Sequence, residues 1–232
     1  MSAAVRGALR DLYWNSWRFL VANGCLAVAV LVPIGLAIWL AHPAPLLLLV
    51  LAGPVCAGLV HCAVSCVDGA VHGSGDIRVA DMGHGVRRHW RRGLALGALL
   101  GLVVVAGVGA IRFYAGRGGL WTVAAFGCGY LLAAAVLFQL VLWPVAIRLA
   151  DRPLAEAFRA AGGLFAHRRP AVLRLGAVLL VVNLAGAVAV LPLLTVTPAF
   201  SFLVAARLLL PAPEPAPALS TAAPSEGESW PA

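Results

Sequence analysis

Leu120–Ile147 reads LWTVAAFGCGYLLAAAVLFQLVLWPVAI and contains no charged residue. An α-helix rises about 1.5 Å per residue, so roughly 20 residues cross the hydrocarbon core of a bilayer. The same reasoning applies to four further apolar runs, which are Phe19–Ala41, Ala44–Val67, Gly93–Ile111 and Leu175–Leu210. Backbone polar groups in lipid must pair within their own segment, and these runs lack the alternation of barrel strands. The sequence therefore predicts an all-α, polytopic transmembrane helix bundle.

The composition agrees with this fold class. Hydrophobic residues make up 62% of the chain and charged residues 11%, whereas soluble proteins carry about 25% charged residues. The net charge of +8 comes from 17 arginines without a single lysine. Because nearly all of these arginines lie outside the apolar runs, they indicate membrane orientation, and we do not expect a nucleic-acid partner. The five cysteines lie in or beside the runs and do not suggest a disulfide framework.

The last run is long enough for two spans. We split Leu175–Leu210 at Pro192 into two short spans joined by a tight turn, which gives six spans in total. The alternative is one long span followed by a re-entrant segment. With six spans, all arginines except Arg112 and Arg117 lie on one side of the membrane. The positive-inside bias then predicts a multi-pass protein of the bacterial cytoplasmic membrane, with both termini in the cytoplasm.

Three regions follow from these assignments. Residues 1–18 are predicted to form a cytoplasmic, amphipathic N-terminal segment, and residues 19–210 the transmembrane bundle. Residues 211–232 are rich in Pro, Ala, Ser and Glu and have too little apolar content to fold alone. We expect this last region to be a disordered cytoplasmic tail.

Three amide side chains fall inside the apolar runs, namely Asn23, Gln139 and Asn183. An unpaired amide in hydrocarbon costs several kcal/mol, so each is expected to face the interior of the bundle. They form either hydrogen bonds between helices or the polar lining of a solute path. The sequence leaves both interpretations open.

A series of glycines marks one face of the third run. Gly93, Gly97 and Gly101 recur every four residues, which places them on the same side of a helix. Small residues allow a second helix to approach closely. We predict an internal helix-packing seam, with a homodimer seam as the alternative.

A basic and aromatic stretch lies directly before the third run, at the predicted membrane surface. Side chains of this kind bind anionic lipid headgroups. The predicted headgroup contacts are Arg87, Arg88, Trp90, Arg91 and Arg92.

No residue pattern indicates catalysis or a cofactor. A metal needs three or four converging ligands, but of His61, Cys62 and Cys66 only the two cysteines share a helix face. An enzyme would require His72, His84 or His89 to meet Asp76 or Asp81 in one cytoplasmic pocket, and the sequence gives no sign of a converging acid–base pair. We assign no catalytic, cofactor or metal site.

The segment 148–170 is predicted to contain an amphipathic helix capped by Asp151. Its apolar positions recur at three- and four-residue intervals, and they are Leu154, Phe158, Ala161 and Phe165. Glu156-Ala157 followed by Gly162 partly resembles the coupling-helix motif of ABC importer permeases. That likeness makes a transporter subunit the candidate partner for this segment.

Several short motifs together resemble the YesL-like family of bacterial integral membrane proteins. They are Leu12-Tyr-Trp-Asn-Ser-Trp17, Gly53-Pro-Val-Cys-Ala-Gly58, His89-Trp-Arg-Arg92, Trp143-Pro144 and the amphipathic 154–165 segment. The resemblance covers roughly residues 8–210 and implies no catalytic residue, because the family has no assigned biochemical activity. Its members are often associated with carbohydrate uptake systems, which implies an accessory role beside a sugar importer.

The expected function is thus non-enzymatic: an accessory or scaffolding component of a transport system. The alternative is a small-solute permease or channel, with Asn23, Gln139 and Asn183 along its path.

Overall fold

A computed structural model describes residues 3–42, 44–71, 76–188 and 197–209 of the protein, and these residues form helices and short connections without a strand. The helices are α1 (Ala3–Trp14), α2 (Ser16–Trp39), a 3₁₀ helix (Ala44–Leu51), α3 (Ala52–Val71), α4 (Val79–Ala115), α5 (Trp121–Arg148), α6 (Leu154–His167), α7 (Arg169–Val188) and α8 (Thr197–Leu209). The all-α prediction is confirmed for this part of the chain.

Four helical segments are long and apolar enough to cross a membrane, and they are Ser16–Trp39, Leu48–Gly69, Val79–Ala115 and Trp121–Arg148. They correspond to the first four predicted runs. Thr197–Leu208 is a shorter apolar helix. The predicted division of the last run at Pro192 lies outside the described residues, as does the predicted tail 211–232. The number of crossings and the orientation of the termini therefore stay predictions.

Helix α4 begins well before the apolar run that the sequence predicted. Residues 79–92, which precede the predicted third span, are helical. A carboxylate oxygen of Asp81 accepts the backbone N–H of Arg78 at 2.7 Å, which satisfies one of the free donors at the helix start. Met82, Gly85 and His89 then recur at helical spacing on the buried face. The basic stretch is therefore held rigidly in a 37-residue helix.

The second predicted span changes its helix type. A 3₁₀ helix ends at Leu51, and the α-helix starts at Ala52. Pro54 lies in the first turn of α3. A proline is tolerated there because the first N–H groups of a helix lack intrahelical partners in any case.

The predicted cap of α6 was wrong. The helix begins at Leu154 behind Pro153, and Asp151 makes no capping hydrogen bond. A proline fixes its own φ near that of a helix and disfavours helical geometry in the residue before it, so a helix naturally begins just after it. Asp151 is exposed and lies 3.8 Å from a guanidinium nitrogen of Arg88.

The predicted apolar face of α6 packs against α5. Ala157 and Ala161 are completely buried. The rings of Phe158 and Phe165 lie 6.1 and 5.9 Å from the ring of Phe138 on α5. The helix is thus attached to the bundle along one side.

The centre of the described bundle is α8. Every residue from Ala199 to Ala206 is buried, and the helix packs against α1, α3, α5 and α7. In contrast, α4 and α5 expose large apolar side chains such as Leu102, Val105 and Leu131. Exposed apolar surface of this extent is what lipid covers in a membrane protein.

Candidate functional site

Four ion pairs among the described residues join different segments at the end of the bundle where α2 and α4 start and where α3, α5 and α8 end. They are Arg18–Asp76 at 3.2 Å, Arg148–Asp68 at 3.4 Å, Arg88–Asp151 at 3.8 Å and Arg207–Asp11. Two of them include an aspartate from a connection between helices, namely Asp76 before α4 and Asp151 after α5. Their carboxylates are held by arginines of another segment, which favours a structural role for them.

Asn15 is a buried polar residue whose role sequence reasoning missed. It lies between α1 and α2, and its Oδ1 accepts hydrogen bonds from the Ile77 backbone N–H at 3.2 Å and from Arg18 at 2.8 Å. Its Nδ2 donates to the Asp11 carbonyl at 3.2 Å. One amide thus connects the start of the chain to the segment before α4. In the sequence, the sign of a buried polar contact here is an asparagine between Trp14 and Trp17.

Arg92 closes the end of α5. Its guanidinium donates hydrogen bonds to the carbonyl oxygens of Ala146 at 2.5 Å, Leu149 at 2.7 Å and Arg152. The last carbonyls of a helix have no intrahelical donor, and a cation there also interacts favourably with the helix dipole. Arg92, predicted to contact headgroups, is placed where it fixes α5 to α4.

The other predicted headgroup residues lie on the exposed side of α4. Arg88 pairs with Asp151, whereas Arg87 and Arg91 make no ion pair within the described part of the chain. The Arg91 guanidinium lies 5.1 Å from the ring centre of Trp90, within cation–π range. Two unpaired guanidinium groups and one indole are therefore presented outwards.

Three histidines meet between α3 and α4. The ring of His61 lies 5.2 Å from that of His89 and 6.2 Å from that of His84, centre to centre. Gly85 makes room for this contact, because a Cβ there would lie 2.8 Å from the His61 side chain. Nevertheless, no three His, Cys, Asp or Glu side chains of the described residues are placed to hold a metal ion. His72 lies outside the described residues.

Two of the three predicted seam glycines lie against α3. A Cβ on Gly53 would come within 2.2 Å of the Gly93 carbonyl oxygen, and one on Gly97 within 3.0 Å of the Gly53 Cα. Gly101 has open space where a Cβ would project. The backbones of α3 and α4 are in direct contact at this point, and α4 supplies two glycines to it.

Two of the three predicted polar residues are enclosed by protein. Asn23 is fully buried, and Gln139 is 4% exposed. The side-chain oxygen of Gln139 accepts no hydrogen bond from any described residue. Asn183 lies in α7, but its side chain is outside the described part.

Two surface cavities, of about 470 and 510 Å³, have mainly apolar walls. One is lined by Phe126 and Tyr130 on α5, and the other by Tyr13 and Trp17 near the start of α2. Neither is lined by Asn23 or Gln139. Neither Asn23 nor Gln139 therefore faces either of these two cavities.

The chain matches no model of a protein family, no curated protein and no solved structure. The resemblance to the YesL-like proteins depends on the short motifs quoted above and stays a prediction.

Proposed function

We propose that the protein is an integral component of a bacterial cytoplasmic membrane, crosses it six times with both termini in the cytoplasm, and serves a transport system as a non-enzymatic accessory or scaffold. A carbohydrate uptake system is the first candidate, since the family resemblance implies it. The observation that carries the proposal is the position of α6, a helix fastened to the bundle with one side left open.

The arginine distribution supports the orientation. Six crossings place Arg112 and Arg117 alone on the outer side and the other 15 of the 17 arginines on the inner side. The pairing of α7 with α8 supports the last two crossings, because Arg168 at the start of α7 donates to the Leu208 carbonyl near the end of α8 at 3.4 Å. The start of α7 therefore lies beside the end of α8, as it does in two neighbouring antiparallel helices.

The side of α6 that packs on α5 holds the helix in place, so the opposite side is a rigid surface on which a partner can dock. Two completely buried alanines and two phenylalanines fix the helix on α5, as described above. The contact is apolar, and the rings of Phe138 and Phe165 meet edge-to-face, an arrangement that favours one orientation. A helix held in this way does not need to be ordered when a partner binds, which lowers the entropic cost of association.

The open side of α6 is suited to close contact with another chain. Gly162 and Gly163 have no atom within 4 Å of the position a Cβ would take. Glycines inside a helix destabilise it by about 0.5–1 kcal/mol each relative to alanine, and nothing within the described bundle requires them. The approach of a partner's backbone provides a physical reason for both. Arg159 is exposed on the same helix and offers a charged contact.

Purification of the tagged full-length chain in mild detergent, followed by mass spectrometry of co-purifying proteins, tests the partner. We expect a transporter subunit that is retained by the native chain and lost from Gly162→Leu and Gly163→Leu. The control is Gly109→Leu on α4, which also projects into open space and should leave the partner bound. A partner retained by all three variants, or none at all, contradicts the docking role.

Reporter fusions test the crossings. Green fluorescent protein fused after Pro211 should fluoresce, and alkaline phosphatase at the same point should be inactive, because both outcomes require a cytoplasmic position. Fusion near Arg117 should give the reverse pattern. An active phosphatase after Pro211 would favour the single span with a re-entrant segment.

Gln139 supports the second candidate, a small-solute permease or channel. An amide oxygen that is buried without a donor costs roughly 1–3 kcal/mol, and a solute with a donor group would satisfy it. Cysteine substitution at Gln139 and labelling with a membrane-impermeant thiol reagent distinguishes the two functions. Rapid labelling indicates a water-filled path, whereas the accessory function predicts protection.

A further inference from the structure

The N-terminal part of α4 carries the four arginines and the tryptophan that were predicted to contact headgroups, but the structure gives them different roles. One side of this helix is buried against α3 through Met82, Gly85 and His89. Arg92 is directed towards the end of α5 by three carbonyl oxygens. The hydrogen-bond donors that this arginine directs to these carbonyls are thus not offered to an external ligand.

Arg88 is also engaged within the molecule. Its guanidinium lies 3.8 Å from the Asp151 carboxylate, and both side chains are largely exposed. A surface pair of this type contributes little to stability, but it does place a negative charge beside the cation. The local field that Arg88 presents to an anionic ligand is therefore reduced.

Arg87 and Arg91 remain. They are exposed and one helical turn apart, so their side chains are neighbours on the helix surface. Trp90 lies between them, is 47% exposed, and is in cation–π contact with Arg91. We propose that Arg87, Trp90 and Arg91 form a binding site for the headgroup of an anionic phospholipid.

The rest of α4 explains why the ligand is a lipid. Beyond Gly93 the same helix exposes Leu102 and Val105. A phospholipid with its phosphate at Arg87 and Arg91 would therefore continue along an apolar helix surface. Indole rings prefer the headgroup level of a bilayer, which is the position that this placement gives Trp90. A free phosphate ion would gain nothing from the apolar contact.

This inference depends on the proposal that α4 crosses the membrane, and the two fail in different ways. If the chain does not span a bilayer, the fusion after Pro211 and membrane fractionation will show it for the native protein. If only the site is wrong, the native chain will still be an integral membrane protein but will bind anionic and zwitterionic lipid alike.

The test is a lipid competition. The full-length protein is placed in nanodiscs of equimolar phosphatidylglycerol and phosphatidylcholine, released in mild detergent, and analysed by native mass spectrometry for the lipid that remains bound. We expect the native chain to retain phosphatidylglycerol. A basic residue near an anionic surface contributes about 1 kcal/mol, so Arg87→Gln and Arg91→Gln should each reduce the preference about fivefold and the double variant roughly 30-fold.

Arg88→Gln is the matched control, because it removes the same charge from the same turn of the helix. It should change the preference less than twofold. An equal loss in Arg88→Gln and in the two test variants would overturn the site, because it would indicate a diffuse charge effect. Displacement of the retained lipid by inorganic phosphate at matched ionic strength would overturn the assignment to a lipid. Unchanged thermal unfolding in neutral detergent confirms that each variant is folded.

Discussion

Asp11 on α1 and Arg207 on α8 are 196 positions apart in the chain, and the Arg207 Nε donates to an Asp11 carboxylate oxygen at 2.7 Å. The carboxylate is almost completely enclosed, with 8% of its side-chain surface exposed, and the guanidinium retains 20%. Gly7 makes room for the pair, because a Cβ there would lie 2.8 Å from an Arg207 nitrogen. The contact holds the N-terminal helix against the helix at the centre of the bundle.

Asp11→Asn should lower the free energy of unfolding by about 3 kcal/mol, since it leaves a partly buried guanidinium without its counter-charge. Unfolding in mixed micelles with increasing dodecyl sulfate measures this change. Arg88→Gln, which breaks an exposed pair, is the control and should cost less than about 0.5 kcal/mol. Equal effects of the two substitutions would show that enclosure of the Asp11 pair has no energetic importance. The double variant Asp11→Leu/Arg207→Leu should be less unstable than Asp11→Asn, because no charge is left unpaired.

Gly53→Ala should be among the most damaging small substitutions in the chain. Its Cβ would lie 2.2 Å from the Gly93 carbonyl oxygen, so α3 and α4 would have to separate. Overpacking of this kind costs about 3 kcal/mol, and the thermal unfolding midpoint in detergent should fall accordingly. Gly101→Ala provides the comparison, because its Cβ meets open space and alanine favours a helix. A lower midpoint for Gly101→Ala would instead indicate a second chain packed at that position.

Arg92→Met should release the end of α5. Hydrogen bonds from a charged donor contribute about 1.5–3 kcal/mol each, and the loss of several should destabilise the protein by about 3 kcal/mol overall. Arg92→Lys should recover only part of this, because an ammonium group is a single point and cannot span carbonyls as a planar guanidinium does. Hydrogen exchange of the amides near Leu149 reports the local effect. Arg91→Met, one residue away and exposed, should leave the exchange unchanged.

Gln139→Leu should keep or raise the unfolding midpoint in detergent. The amide oxygen has no donor among the described residues, so a side chain of similar size without a polar group removes a desolvation cost. A fall of more than about 1 kcal/mol in the free energy of unfolding would contradict this, since a single interhelical hydrogen bond in a membrane protein contributes about that much.

The helical class and the first four apolar segments could be predicted from the sequence, because hydrocarbon imposes a length and a polarity on whatever crosses it. The apolar run Leu120–Ile147 alone predicts nearly the whole of α5, which spans Trp121–Arg148. The continuation of α4 to Val79 could not be read from hydropathy, since residues 79–92 are polar on one side. Their helical state depends on contacts with α3 and on a carboxylate that reaches back to Arg78.

The uses of individual polar side chains were harder to foresee. Arg87 and Arg92 belong to the same basic stretch, and no local pattern distinguishes them. They differ because α5 happens to end beside Arg92, which is a property of the tertiary structure. The same applies to Asn15, whose hydrogen-bond partner Ile77 is 62 positions away. For the glycines, spacing selected Gly93 and Gly97 but could not identify Gly53 on the opposite helix.

The central position of α8 also constrains how the protein is made. This helix leaves the ribosome after every other described helix, so the earlier segments must enter the membrane before the element that fills the space between them exists. The surfaces of these segments that contact α8 stay exposed to lipid or to insertion factors until residues 197–209 are synthesised. Assembly is therefore completed by the helix that is synthesised last, because the surfaces of α1, α3, α5 and α7 that contact α8 have no partner in the bundle before it.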